Sequence, residues 1–387
     1  MERSARWKLW CKEVAARTLV AAGLTRANTV AQRMRLGGRR TLIVSYHRVV
    51  ADFEKEVARS IPGLLVSTRA LQDQLEELGR RYDVVPLAIA LHEMRSQAPG
   101  RDLAAVSFDD GYADVLREGL PILKRLHVPA TVFLVAGYVG STRPLPHDRL
   151  HACLSAFLRH HRSFEALPPS LARDWLAALM KSGCSVAEAV DGLIAALPDA
   201  AIGSLATDLE SVLGTAATDL LPGGSELLTW DMIRELLGAG VAIGAHTVRH
   251  RVLTHLALSE VRWELREARA RIRAHAGADP VDFAYPNGWY SDAVVREVVA
   301  AGYRSAVTTE ARHNGPGADP FCLGRYTLWE GSTRGPVGYS KSIAACQLDG
   351  SFRVLGIPRM VSGHVNTLPV REARGMPNLQ GPEGQHA

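Results

Sequence analysis

The apolar positions fall into short runs that end in polar or turn residues, the pattern of buried strands rather than of long helices. Seven such runs stand out: Leu42–His47, Asp83–Leu87, Ala104–Asp109, Ala130–Gly137, Val241–His246, Val281–Pro286 and Ser305–Thr309. Between several of them the spacing changes to three and four. Thr68–Gly79 opens with Thr68 as N-cap and sets Leu71, Leu75 and Leu78 on one face, and Ser259–Ala276 and Ser291–Gly302 read as helices in the same way. Strand and helix alternate, so the expected fold class is α/β with parallel strands. His47, Asp109, Asp110, His246 and Tyr285 each close or follow a predicted strand. A β/α barrel collects its chemistry around a ring of carboxyl strand ends, whereas a doubly wound sheet concentrates it at one switch point, and the ring is favoured.

The alternation breaks between about residues 141 and 227, where Ala- and Leu-rich helical spacing takes over in Leu150–Arg159, Leu171–Met180 and Val186–Leu197. So long a stretch is no simple connection and reads as a helical insertion beside the site. The expected organisation is a basic arm at 1–40, a barrel at 41–330 carrying the insertion, and an extension at 331–387 whose polar, Pro/Gly-rich end from about Thr367 lacks fixed structure.

Charge changes the picture at one end only. Of the 387 residues, the first forty hold ten Lys/Arg against Glu2 and Glu13, a net +8, while the whole chain nets +5 and the remainder −3. A basic arm on a near-neutral body suits anionic lipid or another acidic surface better than nucleic acid, since neither an arginine stripe nor an aromatic platform follows it. Trp7, Trp10 and Val14 share a helix face there, but Leu9, Leu19 and Val20 fall elsewhere on the wheel, so a helix packed on its own domain stays open beside the lipid contact. The apolar run Leu19–Leu24 is too short to span a bilayer and has no cleavage site, so a cytoplasmic protein is expected, with association at the inner membrane face as an option. Five scattered cysteines without a C-x-x-C pair agree with a reducing compartment.

Two segments carry chemistry. Ser107-Phe108-Asp109-Asp110-Gly111 puts adjacent carboxylates at a strand end, where Gly111 permits the turn that lets both face one site. His246 and His250, four apart, fit one side of a helical turn and together can hold a metal ion. A carboxylate with two histidines also describes the iron oxygenase triad, so ligand type alone does not choose the reaction.

Taken in order, Ser-Phe-Asp-Asp-Gly, His-Thr-x-x-His and Phe283-Ala284-Tyr285-Pro286-Asn287-Gly288 resemble the motifs of the NodB-homology polysaccharide deacetylases, carbohydrate esterase family 4. Tyr46-His47-Arg48-Val49 and Leu228-Thr229-Trp230-Asp231 extend the resemblance, which runs from about Leu42 to Arg325 around the insertion. It implies a distorted (β/α) barrel of the NodB type, with Asp109 as catalytic base and Asp110, His246 and His250 holding a divalent metal, Zn2+ by donor type, with Co2+, Ni2+ or Fe2+ as alternatives. It implies removal of N-acetyl groups from an amino sugar in a cell-surface polysaccharide or its lipid-linked precursor. Thr247 is expected to support its loop.

The chain departs from the family pattern twice. Many members carry an arginine at the place of Ala284 to orient the aspartate; Arg325 is the candidate substitute. The late leucine-x-x-histidine, which supplies the amine's proton, has no match, leaving His47 first and His313 second for that task. Tyr285, Pro286 and Asn287 are candidates for substrate contact, Tyr285 through its backbone, with Trp289 or Tyr290 as a sugar platform and Asp148 in Pro146-His147-Asp148 facing the substrate. The same departures motivate one rival, a glycan-binding or regulatory relative without turnover; a closer rival is a deformylase or other amide hydrolase on a nucleotide- or lipid-linked sugar.

Overall fold

The computed structural model describes residues 3–96, 100–161, 163–221 and 226–354. Its centre is an eight-stranded sheet: β1 (Thr41–Tyr46), β2 (Asp83–Val84), β3 (Leu103–Phe108), β4 (Ala130–Leu134), β5 (Ala242–Ala245), β6 (Asp282–Ala284), β7 (Ser305–Val307) and β8 (Tyr326–Thr327). The order is β8-β1-β3-β4-β5-β6-β7, every pair is parallel, and β2 lies beside the start of β3. β1, β3 and β4 are buried at every position. Strands covered on both faces need no polar alternation, which is why they show in the sequence as unbroken apolar runs. The two ends of the sheet meet at one segment, since Leu323 bridges Val307 while Tyr326 and Thr327 pair with Val44 and Ser45. The sheet is thereby curled into a distorted barrel.

The helices are α1 (Arg3–Ala21), α2 (Leu24–Leu36), α3 (Thr68–Arg81), α4 (Leu87–Ser96), α5 (Leu120–Leu126), α6 (Pro146–His160), α7 (Leu171–Lys181), α8 (Val186–Ala196), α9 (Asp199–Leu213), α10 (Trp230–Gly238), α11 (Leu258–Ala276), α12 (Asp292–Ala300) and α13 (Lys341–Leu348), with shorter turns between. In α3 the cap is Ser67, one residue before the expected Thr68, its hydroxyl accepting from the Ala70 amide at 3.1 Å. Leu71, Leu75 and Leu78 are buried as the spacing predicts. Each contributes about 1.5–3 kcal/mol on leaving water.

Strand ends are where expectation and structure diverge. Asp83–Leu87 yields only Asp83 and Val84, because Pro86 lacks a ladder N–H and its carbonyl already accepts from Ala90 in the helical turn that follows. Val281–Pro286 contracts to Asp282–Ala284, where Pro286 opens a turn with Asn287 at φ 56°. β8, two residues long, carries too little pattern to be seen in advance.

Helices α6 to α9 form the insertion around a core of their own, including Leu150, Leu154, Phe157, Leu176, Leu193, Leu205 and Leu209. Of these, α9 was not foreseen; Pro198 precedes it and Gly214, in the left-handed region, ends it. At the other end of the chain, α2 is tied under the amino ends of β1 and β3, where Asp102 accepts from Arg33 at 2.8 Å and from Arg40 at 2.7 Å. The tail expected to lack structure, from about Thr367, lies outside the described residues.

Close packing fixes β5 next to β4. A Cβ at Gly244 would run into the Phe133 ring and the Asp282 carbonyl. Gly244→Ala is therefore expected to destabilise the fold by about 1–3 kcal/mol, read as a lower midpoint of denaturant unfolding with unchanged slope.

Candidate active site

The turn after β3 builds the site. Asp109 continues the strand, its amide donating to the Tyr46 carbonyl at 2.9 Å. Asp110 then adopts φ 71° and Gly111 φ 79°, with the Gly111 amide bonding back to the Asp109 carbonyl at 2.9 Å. A non-glycine residue in the left-handed region costs on the order of 1 kcal/mol. Here it swings the two carboxylates, which would alternate on a strand, into one buried site.

Asp109 is taken by Arg325. The guanidinium donates Nη1 to Oδ1 at 2.7 Å and Nη2 to Oδ2 at 2.6 Å, and both side chains are almost fully buried. Nε binds the Thr308 carbonyl at 3.1 Å and Nη1 the Ser107 hydroxyl at 3.3 Å, which fixes the fork. Burial alone would push the Asp109 carboxyl up; Arg325, with His246 and His47 nearby, outweighs it and holds the group below the usual carboxylate range. Ala284, where the resemblance led one to look for this arginine, is buried on β6, and its carbonyl receives His246 Nδ1 at 2.7 Å.

Asp110 faces the histidines. Its Oδ1 lies 3.2 Å from His250 Nε2 and 3.6 Å from His246 Nε2, and the three donor atoms fall within 4.8 Å of one another. The expected helical turn between the histidines is not there: Thr247 (φ 66°) and His250 (φ 56°) are both left-handed, in a loop. Thr247 does support that loop, its hydroxyl accepting from the His250 amide at 3.0 Å. A residue not foreseen helps it: buried Glu264 on α11 accepts from the amides of Val248 at 2.8 Å and Arg249 at 3.1 Å.

The donor set fits a cation. A carbonyl only accepts, so His246 Nδ1 carries the proton, and burial followed by the neighbouring His250 lowers this ring's pKa to about 4, leaving it neutral. Its Nε2 then presents a lone pair towards the Asp110 carboxylate, an opposition that a divalent ion between them relieves. Nδ1 bound to a backbone carbonyl is also the outer support expected of a metal-ligating histidine.

The remaining candidates are sorted by position. His47 directly follows β1, is buried, and lies near enough to lower both Asp109 and Asp110. His313 is elsewhere: it is 3.0 Å from the Tyr82 hydroxyl, beside Asn314, which pairs with Thr41 at the amino end of β1. It cannot serve the carboxyl-end site. Tyr285 is committed to the scaffold, its amide to Val307 at 3.2 Å, its hydroxyl to the Phe321 carbonyl at 3.0 Å and its ring between Phe283 and Tyr290, so neither backbone donor nor ring is available to a sugar. Tyr290 in turn spends its hydroxyl on Glu310. Pro286 is buried, Asn287 half-buried with its carbonyl taking the Thr309 hydroxyl at 3.0 Å, and Trp289 is half-buried against His255.

Asp148, at the first turn of α6, accepts from the Tyr112 hydroxyl at 2.7 Å. Tyr112 thereby has its oxygen free for His147 Nε2 at 3.0 Å, and that nitrogen stands 3.8 Å from Asp110 Oδ2. His147, whose ring is 5.1 Å from that of His250, is the site residue the motifs passed over. Its signal was present, a histidine beside the chosen Asp148 at the mouth of the insertion. Beyond it opens a cavity of about 450 Å³ between the barrel and the insertion, lined by Tyr138, His147, Ile202, Ala206, Arg249 and His250 among others.

Residues 96–306 match the family model described as polysaccharide deacetylase. Among solved structures, the chain resembles the Streptococcus pyogenes deacetylase PplD in complex with acetate (15% identity, 78% of this chain and 96% of that one, TM-score 0.50). It also resembles IcaB from Ammonifex degensii (18% identity, 81% and 98%, TM-score 0.50). At such identities the likeness is one of fold. No curated protein sequence matches.

Removing Arg325 leaves a buried carboxylate alone. Arg325→Met is expected to cost about 3–5 kcal/mol of stability, measured by denaturation, with the bound-metal content unchanged. His250→Ala takes away one of the three groups that could hold an ion and is expected to reduce metal retained through gel filtration, read by elemental analysis, with a smaller change in stability than Arg325→Met.

Proposed function

The chain belongs to the polysaccharide deacetylase family, whose NodB-type barrel it adopts, and from this we propose that it hydrolyses the N-acetyl group of an amino sugar in a cell-surface polysaccharide or its lipid-linked precursor, in a metal-dependent reaction. The observation that carries the reading is the pairing of two differently used carboxylates on one turn, Asp109 gripped by Arg325 and Asp110 set against two imidazoles.

Asp110, His246 and His250 would hold the ion, and their one oxygen and two nitrogens suit zinc. When bound, a divalent cation there supplies Lewis acidity towards water and the amide carbonyl. The chain's own groups do the rest. Asp109 stays ionised at neutral pH and, with each oxygen bonded only once to Arg325, keeps a lone pair to accept the proton of the attacking water. As the water oxygen bonds to the acetyl carbon and the C–N bond breaks, the departing nitrogen needs a proton. His47 is the donor we favour, because it stands beside both carboxylates whereas His313 lies at the other end of the barrel. The products are acetate and a free amino sugar.

Arg325 also bears on the choice between turnover and mere binding. Ala284 had argued for a protein that lost catalysis, and the bidentate grip from a neighbouring segment answers that loss.

Acetate and formate release should be measured together, with bound metal, on N-acetylated oligosaccharides and lipid-linked sugars. Acetate is expected, with Asp109→Asn lowering the rate about a hundredfold or more while metal stays bound. Formate instead would make it a deformylase, and an Asp109→Asn variant as active as the native chain would remove Asp109 from the role of base.

A further inference from the structure

The basic N-terminal segment explains its own mixed pattern once it is folded. On α1, Leu9, Lys12, Glu13, Ala16 and Leu19 are buried, and Ala16 and Leu19 pack with Ile343, Cys346 and Phe352 beyond the barrel wall. Lys12 donates to the Ser332 carbonyl at 3.5 Å, and burial lowers its pKa to about 8. The opposite stripe, Trp7, Trp10, Cys11, Val14 and Thr18, faces out, with Trp7 71% and Val14 54% exposed. The helix is apolar on both sides, one serving the fold and one serving nothing within it.

α2 repeats the arrangement. Thr25 and Gln32 turn inward, and Gln32 binds the Asp349 carbonyl at 2.8 Å. Leu24, Val30 and Met34 are exposed, Met34 at 77%. Seven large apolar side chains in two consecutive helices, counting Val20, are a large exposed share for a monomer surface.

The charges beside these stripes have one sign. Among the described side chains of residues 6–40 the exposed charged groups are Arg6, Lys8, Arg17, Arg26 and Arg35, and the one acid, Glu13, is buried with Arg17 bonded to it at 2.7 Å. We propose that the outward face of α1 and α2 is a docking surface for an anionic lipid bilayer. Tryptophan seats at the headgroup boundary and exposed Lys and Arg meet anionic headgroups, so both halves of the surface find partners in one occupant. A second copy of the chain would set these cations against themselves across a two-fold axis. Among the described residues no helix is long and apolar enough to cross a membrane, so the attachment is peripheral. Neither helix supplies a residue to the site, and α2 lies at the amino ends of the strands, so docking leaves the carboxyl-end site open.

The test uses the full chain, co-sedimented with vesicles of phosphatidylcholine alone and of phosphatidylcholine with phosphatidylglycerol. Binding is expected only to the anionic vesicles, weakened by added salt, and reduced at least about tenfold in Trp7→Ser/Trp10→Ser, whose sites already face water so that folding, checked by thermal melting, is kept. A separate Lys8→Glu/Arg26→Glu variant should bind less while both tryptophans remain. No binding to anionic vesicles, equal binding by the tryptophan variant, or a native dimer that this variant dissolves would each overturn the proposal, the last by making a second copy the occupant.

Discussion

Two adjacent carboxylates taken out of water at one strand end are the constraint around which the carboxyl face of this barrel is organised. Each would cost several kcal/mol if left uncompensated. The structure answers the two charges differently. Asp109 receives a guanidinium with both prongs engaged, and Asp110 faces two imidazoles, of which His246 turns its unprotonated Nε2 towards it. That difference supports the two proposed roles: a carboxylate held still and ionised by a permanent cation, and a carboxylate grouped with two histidines that could hold an exchangeable one.

Holding the groups in place requires backbone that L-residues avoid. Of the described non-glycine residues with positive φ, Asp110, Thr247, His250 and Asn287 line the turns at the strand ends, and only His127 sits away from them, at a helix end. The surrounding bonds account for their persistence. Glu264 collects two loop amides, Thr247 a third, and the Asn287 carbonyl is tied to Thr309. Strain of this kind survives where neighbours over-determine the geometry, and here the neighbours come from α11 and the segment after β7.

What could be read in advance follows from how the information is stored. The seven main runs, the three helices between them and the Asp-Asp-Gly and His-Thr-x-x-His positions are local patterns, and local patterns survive in a one-dimensional string. The shortness of β2 and β6 turned on prolines whose effect reached further back than the apolar run suggested. His147 was hidden because its relation to Asp110 exists only after the insertion folds back over the barrel. The commitment of Tyr285 to the scaffold has the same origin: its motif was visible, but the partners that take its amide and hydroxyl, Val307 and Phe321, lie far along the chain. The mixed signal of α1 was accurate as well, since a helix with an inner and an outer apolar stripe has no single hydrophobic direction to detect.

Arg325 shows how a contact can outlast the loss of a motif residue. It leaves the chain between Leu323, which bridges Val307 on β7, and Tyr326, which pairs with Val44 on β1. This is the segment that brings the two ends of the sheet together, so the arginine points across the barrel mouth to Asp109 only if the barrel is closed. The orientation of the Asp109 carboxylate is therefore coupled to the completion of the fold. Ala284 is released from that duty yet keeps another, because its carbonyl still sets the tautomer of His246. A guanidinium is long and bidentate enough to reach the same carboxylate from a different strand, whereas a backbone carbonyl can act only from where the strand places it. The side-chain support could thus move along the ring of strands, and the main-chain support could not.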